Sequence, residues 1–345
     1  MRVVVFSVID DWDIAAVLRE RGHQTLAWVR PSWNFSREST LLGPLKNLAK
    51  IVLSRRIGSD ASGSKSRVRV RQGLSSVRQI SCTDVNSSSF VSTMRTLDPD
   101  VFVVSTYPAI FGAELLSVPR HGAINCHPSL LPAYAGAQPG FWVLKNGEAN
   151  TGVTVHRMTE RIDSGEILAQ QVVPIEPGDN LGRLLERLHS KSVDVVAQAI
   201  DKIVRNVPGH QPPAEARTYF RRHTLVDLEI DWSEPAAAIV RLLRAVQPFE
   251  PIRATIGSRK ILIYEARAVA AATRETIGQV VDRAGSRLWV QTGDGWLEIV
   301  GWEVHPLHGW LNWLAQQVTL RVGERFSTTT RHETSAATST SLGPL

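Results

Sequence analysis

The chain has 345 residues, 43% hydrophobic and 21% charged, with a net charge of +6. That length exceeds one ordinary domain and suits two, the composition excludes a disordered or collagen-like chain, and a basic surplus favours anionic partners without choosing among nucleic acid, phosphates and polycarboxylates. Only Cys82 and Cys126 are present, which excludes a disulfide framework and a CxxC metal pair and points to a reducing, cytoplasmic setting.

In chain order, "MRVVVFSVID" carries an apolar run too short for a signal-peptide core and reads as a first strand. "DWDIAAVLRERGH" has apolar residues at helical spacing and ends in Arg-Gly, a helix stop. "QTLAWVR" is a second strand. Strand, helix, strand opens an α/β domain with a parallel sheet. Residues 31–80 are irregular and hold Lys46, Lys50, Arg55, Arg56, Lys65, Arg67, Arg69 and Arg71 among Ser and Gly. Segment 46–71 is read as a solvated basic loop, with a clamp for an anionic substrate as the alternative. "DPDVFVVST" and "GAINCH" are further buried strands, and "DNLGRLLERLHSKSVDVVAQAIDKIVRN" is a long amphipathic helix that closes the first domain at residue 206.

The stretch 207–218 is rich in Pro and small residues and reads as a linker. Residues 219–326 hold one helix, "EPAAAIVRLLRAV", and short Gly-broken β-prone runs, the pattern of a small barrel. Trp296, Trp302, Trp310 and Trp313 raise a nucleic-acid stacking platform as a possibility; Trp310 and Trp313 share a helical face, so packing is the expectation. Residues 327–345 are Ser/Thr/Ala-rich and are expected to be a disordered tail. No run approaches the roughly 20 apolar residues of a membrane span, so no membrane partner is expected.

Several chemistries are excluded by their missing motifs. The turn after the first strand lacks GxGxxG, and no GxxxxGK[ST] or GxSxG is present. His121 and His127 are not at helical metal spacing, so no metal site is expected. What remains is "INCHPSLLPAYAGAQP" and the later "GVTVHRMTERIDSGEILAQQ". Asn125 and His127 alternate along a strand and so share a face, at the carboxyl end where open α/β sheets place their ligands. Asp163 lies in a "DSG" turn between two strand-like runs. An amide donor, an acid/base and a carboxylate can together orient an imidazole and relay protons. From the residues alone, structural roles stay open for all three.

The stretch from "INCHPSLLPAYAGAQP" through "GVTVHRMTERIDSGEIL" resembles the signature of formyltransferases that use 10-formyltetrahydrofolate. The shared features are an Asn-x-His-x-Ser-Leu-Leu-Pro core, a Gly-Val-Thr strand and an Asp-x-Gly-x-Ile-Leu run. "LDPDVFVVSTYPAIFGAELLSVPRHG" is similar to the family's folate-side loop, and "YFRRHTLVDLEIDWSEPAAAIVRLLRA" to the start of the C-terminal domain of the methionyl-tRNA branch. The resemblance implies a doubly wound Rossmann-like catalytic domain over 1–206 and a smaller OB-like β-barrel over 219–326. It implies catalytic roles for Asn125, His127 and Asp163. It also implies donor contacts from Ser129, Leu130, Leu131, Pro132, Tyr107, Ile110 and Ile162, with 10-formyltetrahydrofolate as cosubstrate and no metal. Where many relatives read Tyr-Arg-Gly, this chain has Tyr134-Ala135-Gly136, and the absent cation favours a small amine acceptor, phosphate-bearing or not. Methionyl-tRNA is the alternative acceptor, and a hydrolase of the donor or a non-catalytic folate-binding protein are lesser ones. The sequence leaves monomer and homodimer both open. All three catalytic positions precede residue 164, so a chain ended near 206 is expected to keep the donor site.

Overall fold

The computed structural model describes residues 1–8, 12–32, 77–272, 275–306 and 320–328. The basic segment 46–71, Trp310, Trp313 and the tail from residue 329 lie outside the described residues. The chain divides into two compact units. The first holds residues 1–139, 149–175 and 183–220; the second holds 140–148, 176–182 and 221–345.

The first unit is built on β1 (Arg2–Ser7), α1 (Trp12–Glu20), β2 (Gln24–Pro31), β3 (Arg78–Cys82), α2 (Ser88–Leu97), β4 (Val101–Ser105), α3 (Ala113–Leu116) and β5 (Ala123–His127). Residues 78–80, read from the sequence as part of an irregular stretch, are paired in β3, where alternation too weak to signal a strand is overridden by the ladder to β2. The sheet has seven strands in the order β3-β2-β1-β4-β5-β7-β8, closed on one side by β7 (Asn150–Arg157) and β8 (Ile167–Pro174). Strands β1 to β5 are parallel, and β7 and β8 run antiparallel. Strand β1 lies between β2 and β4, so the winding reverses there, as in doubly wound sheets. Val3, Val4, Val5 and Phe6 are fully buried, the continuous apolar run that a parallel strand covered on both faces requires. On one side Phe6 meets Phe90, Phe102 and Phe111 edge-on in a core completed by Met94 and Leu115. Helix α5 (Leu181–Val204) buries Leu184, Leu188, Val195, Ala199 and Ile203 along one stripe, the helical periodicity of its sequence. A short parallel pair joins β6 (Ala135–Gly136) to β9 (Tyr219–Phe220).

The second unit contains α4 (Pro139–Asn146, from residue 140 on) and α6 (Ala236–Val246). Its five-stranded antiparallel sheet has the order β10-β11-β14-β13-β12: β10 (Ile252–Ile256), β11 (Arg259–Val269), β12 (Val280–Ala284), β13 (Arg287–Gln291) and β14 (Trp296–His305). The part of the chain expected to form a small barrel holds this sheet with α6 packed against it. Register irregularities on either side of Glu265 bend its longest ladder. Ile261, Ile263, Leu288, Val290, Leu297 and Ile299 are fully buried, and α6 adds Ile239, Leu242, Leu243 and Val246 to the unit's buried apolar residues. Trp302 is buried with its indole N–H donated to the Ser286 carbonyl, and Trp296 donates to Gln291. Trp302 is thus a packing residue, while Trp296 stays partly exposed. Among the described residues no helix is long and apolar enough to cross a membrane.

Candidate active site

Strand β5 delivers Asn125 and His127 to one face, and Cys126 points to the other, where it is buried. Register places His156 of β7 directly opposite Asn125 and Thr154 opposite His127, so His156 joins the same face. The loop after β7 brings Asp163 back over this face, with its backbone left-handed at φ 47°.

The four side chains meet. Asp163 Oδ2 lies 3.6 Å from His127 Nδ1, and Asp163 Oδ1 lies 3.4 Å from His156 Nε2. Asn125 Nδ2 lies 3.3 Å from His156 Nε2 and 3.5 Å from Asp163 Oδ1. The side chains of His127, His156 and Asp163 are only 6%, 2% and 8% exposed. The Gly136 N–H donates to Asp163 Oδ2 at 2.8 Å. His127 Nε2 sits 2.9 Å from the Tyr134 carbonyl, which can only accept, so Nε2 carries the ring proton. Nδ1 then faces the Asp163 carboxylate as a lone pair.

Burial is the largest influence on His127 and holds its pKa below the ordinary value; the Asp163 charge and the Tyr134 carbonyl pull the other way without overcoming it. Burial would also raise the Asp163 carboxyl, but His127, the His156 hydrogen bond and the Gly136 N–H together hold it well below the usual carboxylate range. At neutral pH the face therefore presents an amide donor, a neutral imidazole and an ionised carboxylate.

The loop that follows β5 is held from the sheet. The Thr154 hydroxyl donates to the Ser129 carbonyl at 2.6 Å and accepts from the Leu131 N–H at 3.1 Å. Gln170 Nε2 donates to the Leu131 carbonyl at 2.9 Å and to Thr154 Oγ1 at 2.7 Å. Ser129 is fully buried, and its hydroxyl donates to the carbonyls of Ala133 (2.9 Å) and Tyr134 (3.2 Å). It shapes the loop from inside. Leu131 is buried with Ala135 and Ile167. Leu130 leans over Gly152, where a Cβ would come within 2.3 Å of its Cδ2, so only glycine admits that leucine. Among the positions expected at the donor, Leu130 and Pro132 are partly exposed, Tyr107 is half-buried edge-on to Phe6 and Phe111, and Ile110 and Ile162 are exposed. Ala135 is fully buried. Its methyl group packs with Leu131 and Ile167.

Two members of the site escaped the sequence reading. Alternation in "GVTVHRM" puts His156 on one face with Thr154, but only the register with β5 brings that face to the site. Gly136 acts through its backbone and leaves no side-chain signal. It has φ 98°, and an added Cβ would lie 2.3 Å from the Phe220 carbonyl oxygen. Gly136→Ala is expected to lower unfolding stability by about 1–3 kcal/mol in backbone strain alone, measured by denaturant titration. An unchanged midpoint would contradict this close approach. Among the described residues no group of three or more His, Cys, Asp or Glu is placed to hold a metal ion.

Two sequence families match the chain: formyl transferase over residues 59–200, and formyl transferase, C-terminal domain, over residues 222–306. Methionyl-tRNA formyltransferase of Thermotoga maritima is 31% identical over 217 residues, which cover 62% of this chain and 69% of that protein. A variant of HypX from Aquifex aeolicus is similar in structure with a TM-score of 0.57 at 15% identity; the match covers 88% of this chain and 46% of that one, so this chain spans less than half the length of HypX. WlaRD, a sugar 3N-formyl transferase crystallised with dTDP and 5-N-formyl-THF, gives a TM-score of 0.58 at 16% identity, covering 89% of this chain and 99% of WlaRD. At such identities the structural likeness speaks for the fold.

Proposed function

The chain belongs to the formyl transferase family, and we propose that it moves a formyl group from 10-formyltetrahydrofolate to the primary amine of a small metabolite. The observation that carries the reading is the convergence of Asn125, His127 and Asp163 on one buried face. In this reading the amine attacks the formyl carbon, and the carbonyl oxygen becomes an oxyanion to which Asn125 Nδ2 donates. His127 Nδ1 takes the proton that the attacking nitrogen sheds, and the Asp163 carboxylate stabilises the imidazolium. The proton passes to N10 as the C–N10 bond breaks, leaving the formamide and tetrahydrofolate. Leu130, Pro132, Tyr107, Ile110 and Ile162 supply apolar contact for the flat donor rings, and the rigid loop holds the carbonyl near attack distance.

A small acceptor is supported by charge. On the C-terminal sheet Arg259, Arg267 and Arg287 each pair with a carboxylate, of Glu324, Glu265 and Glu298. A surface of alternating sign is a poor track for an RNA backbone. The sugar substrate of WlaRD fits the same class. Methionyl-tRNA is the second reading, favoured by the identity to the Thermotoga enzyme. The test offers the formyl donor with a panel of amines, a nucleotide-linked amino sugar and initiator methionyl-tRNA at rising salt. We expect a small amine to be formylated with little salt dependence. Formylation of tRNA alone, weakening with a slope of about −0.9 per neutralised duplex phosphate, would install the second reading. Donor turnover without any amine would make the protein a hydrolase.

A further inference from the structure

Residues 209–220 make a series of contacts that their composition does not announce, all within the first unit. Arg217 Nη2 donates to the Ile162 carbonyl at 3.1 Å and Gln211 Nε2 to the Ser164 carbonyl at 3.0 Å. The carbonyls of the two residues that flank Asp163 are thus each gripped from this segment. The Gly209 N–H donates to Glu166 at 2.7 Å, and His210 pairs with Ile167 through both backbone groups.

The other end of the segment holds the loop after His127. Thr218 donates its N–H to the Pro132 carbonyl at 3.2 Å and accepts the Ala135 N–H on its own carbonyl at 3.0 Å. Its hydroxyl accepts the Tyr134 N–H at 2.9 Å. Phe220 accepts the Ala137 N–H at 2.9 Å and stacks on the Tyr134 ring at 4.8 Å and 8°. Tyr134 is held by its N–H and its ring, in a left-handed conformation at φ 58°. The carbonyl so aimed is the one that accepts from His127 Nε2.

We propose that segment 209–220 is a brace that sets His127 and Asp163 against each other, with Thr218 and Arg217 as its positioning residues. The two catalytic loops come from different parts of the chain, and this third segment is bonded to both. Neither residue touches the reacting atoms. Thr218 acts through Tyr134 on the imidazole, and Arg217 acts through Ile162 on the carboxylate. A chain ended near residue 206, expected from the sequence to keep the donor site, would lack every one of these contacts.

The proposal rests on the reading above for what the braced residues do, and the test separates the two. The full chain is made with Thr218→Val, which removes the hydroxyl and keeps the shape, and with Thr218→Ser, which keeps the hydroxyl. Thr218 is exposed, so neither change opens the core. The Val variant is expected to lose about 10–100-fold in kcat, the scale of a small misplacement of reacting groups, with the donor KM within about twofold. The Ser variant should restore kcat to within about twofold of wild type. The second readout needs no turnover: the His127 imidazole is titrated by NMR, assigned by comparison with His127→Gln.

The charged and titratable groups facing that ring are Asp163 and His156. With both retained, loss of a well-aimed Tyr134 carbonyl should move the midpoint of the Val variant to lower pH, because that carbonyl favours the protonated ring. Arg217→Met should move it the same way, by letting Asp163 drift from Nδ1. Wild-type kcat and an unmoved midpoint in both variants would overturn the brace. So would a loss of activity with an unmoved midpoint, which would mark a general structural effect. If wild type formylates no amine, the proposed function falls and the titration still decides the brace.

Discussion

Replacing His127 with alanine is expected to lower kcat for formyl transfer by about 10²–10⁴-fold, the range for loss of a positioned acid/base group. Of Asn125, His127 and Asp163, the imidazole is the group that can both accept and release a proton near neutral pH. Its Nε2–H is committed to the Tyr134 carbonyl, its Nδ1 faces an ionised carboxylate, and burial keeps the ring neutral and ready to accept. The Asn125 amide does not titrate, and Asp163 is too strong an acid to serve as base and then donor. The fold should survive, because the Tyr134 carbonyl keeps the Ser129 hydroxyl as a partner. The check is steady-state turnover at saturating donor and amine beside a circular-dichroism melt. Turnover at the wild-type level in a folded variant would end the assignment. The working form is the neutral ring, so the wild-type rate should fall as pH drops through a midpoint below the ordinary histidine value of about 6.5.

Asp163→Asn is expected to lower kcat by about 10²–10³-fold, and it carries a pH signature that His127→Ala cannot. The carboxylate raises the His127 pKa. Its removal should therefore move the acid limb of the residual activity to still lower pH while the plateau falls. The new amide can also donate toward Nδ1 and occupy the lone pair the reaction uses. Stability follows the same groups. The folded pKa of Asp163 lies below its unfolded value, so its contribution is present above the ordinary carboxylate range near 3.9 and is lost as pH falls through that range and below. The lowered His127 pKa acts in the same sense, beginning below about pH 6.5. The stability difference between wild type and Asp163→Asn should rise where His127 protonates in folded wild type ahead of the variant, and then shrink as pH falls through the carboxylate range near 3.9 and below, as read from denaturant midpoints across pH. A difference that does not shrink below about pH 3.9 would refute the ionised, hydrogen-bonded carboxylate.

The sequence by itself determined whatever depends on local period. The unbroken apolar run of β1 required burial on both faces, the stripe of α5 required one buried side, and the alternation of Asn125 with His127 put amide and imidazole on a common face at a strand's carboxyl end. It also carried the motif in which Asp163 stands, because the residue types that chemistry needs are few and their order is distinctive. The tertiary structure alone decided what depends on pairing between distant segments. His156 enters the site through an antiparallel register with β5, which no local pattern encodes. Gly136 contributes a backbone N–H, and every residue but proline has one. Ser129 and Leu131, alike in the motif with Leu130 and Pro132, turn inward because a loop tied to Thr154 and Gln170 can show only part of itself to solvent. Composition marked 207–218 as a linker, since proline and small residues weaken regular structure. Where its donors and acceptors go is a question of closure in three dimensions, and they go to the loops that carry His127 and Asp163.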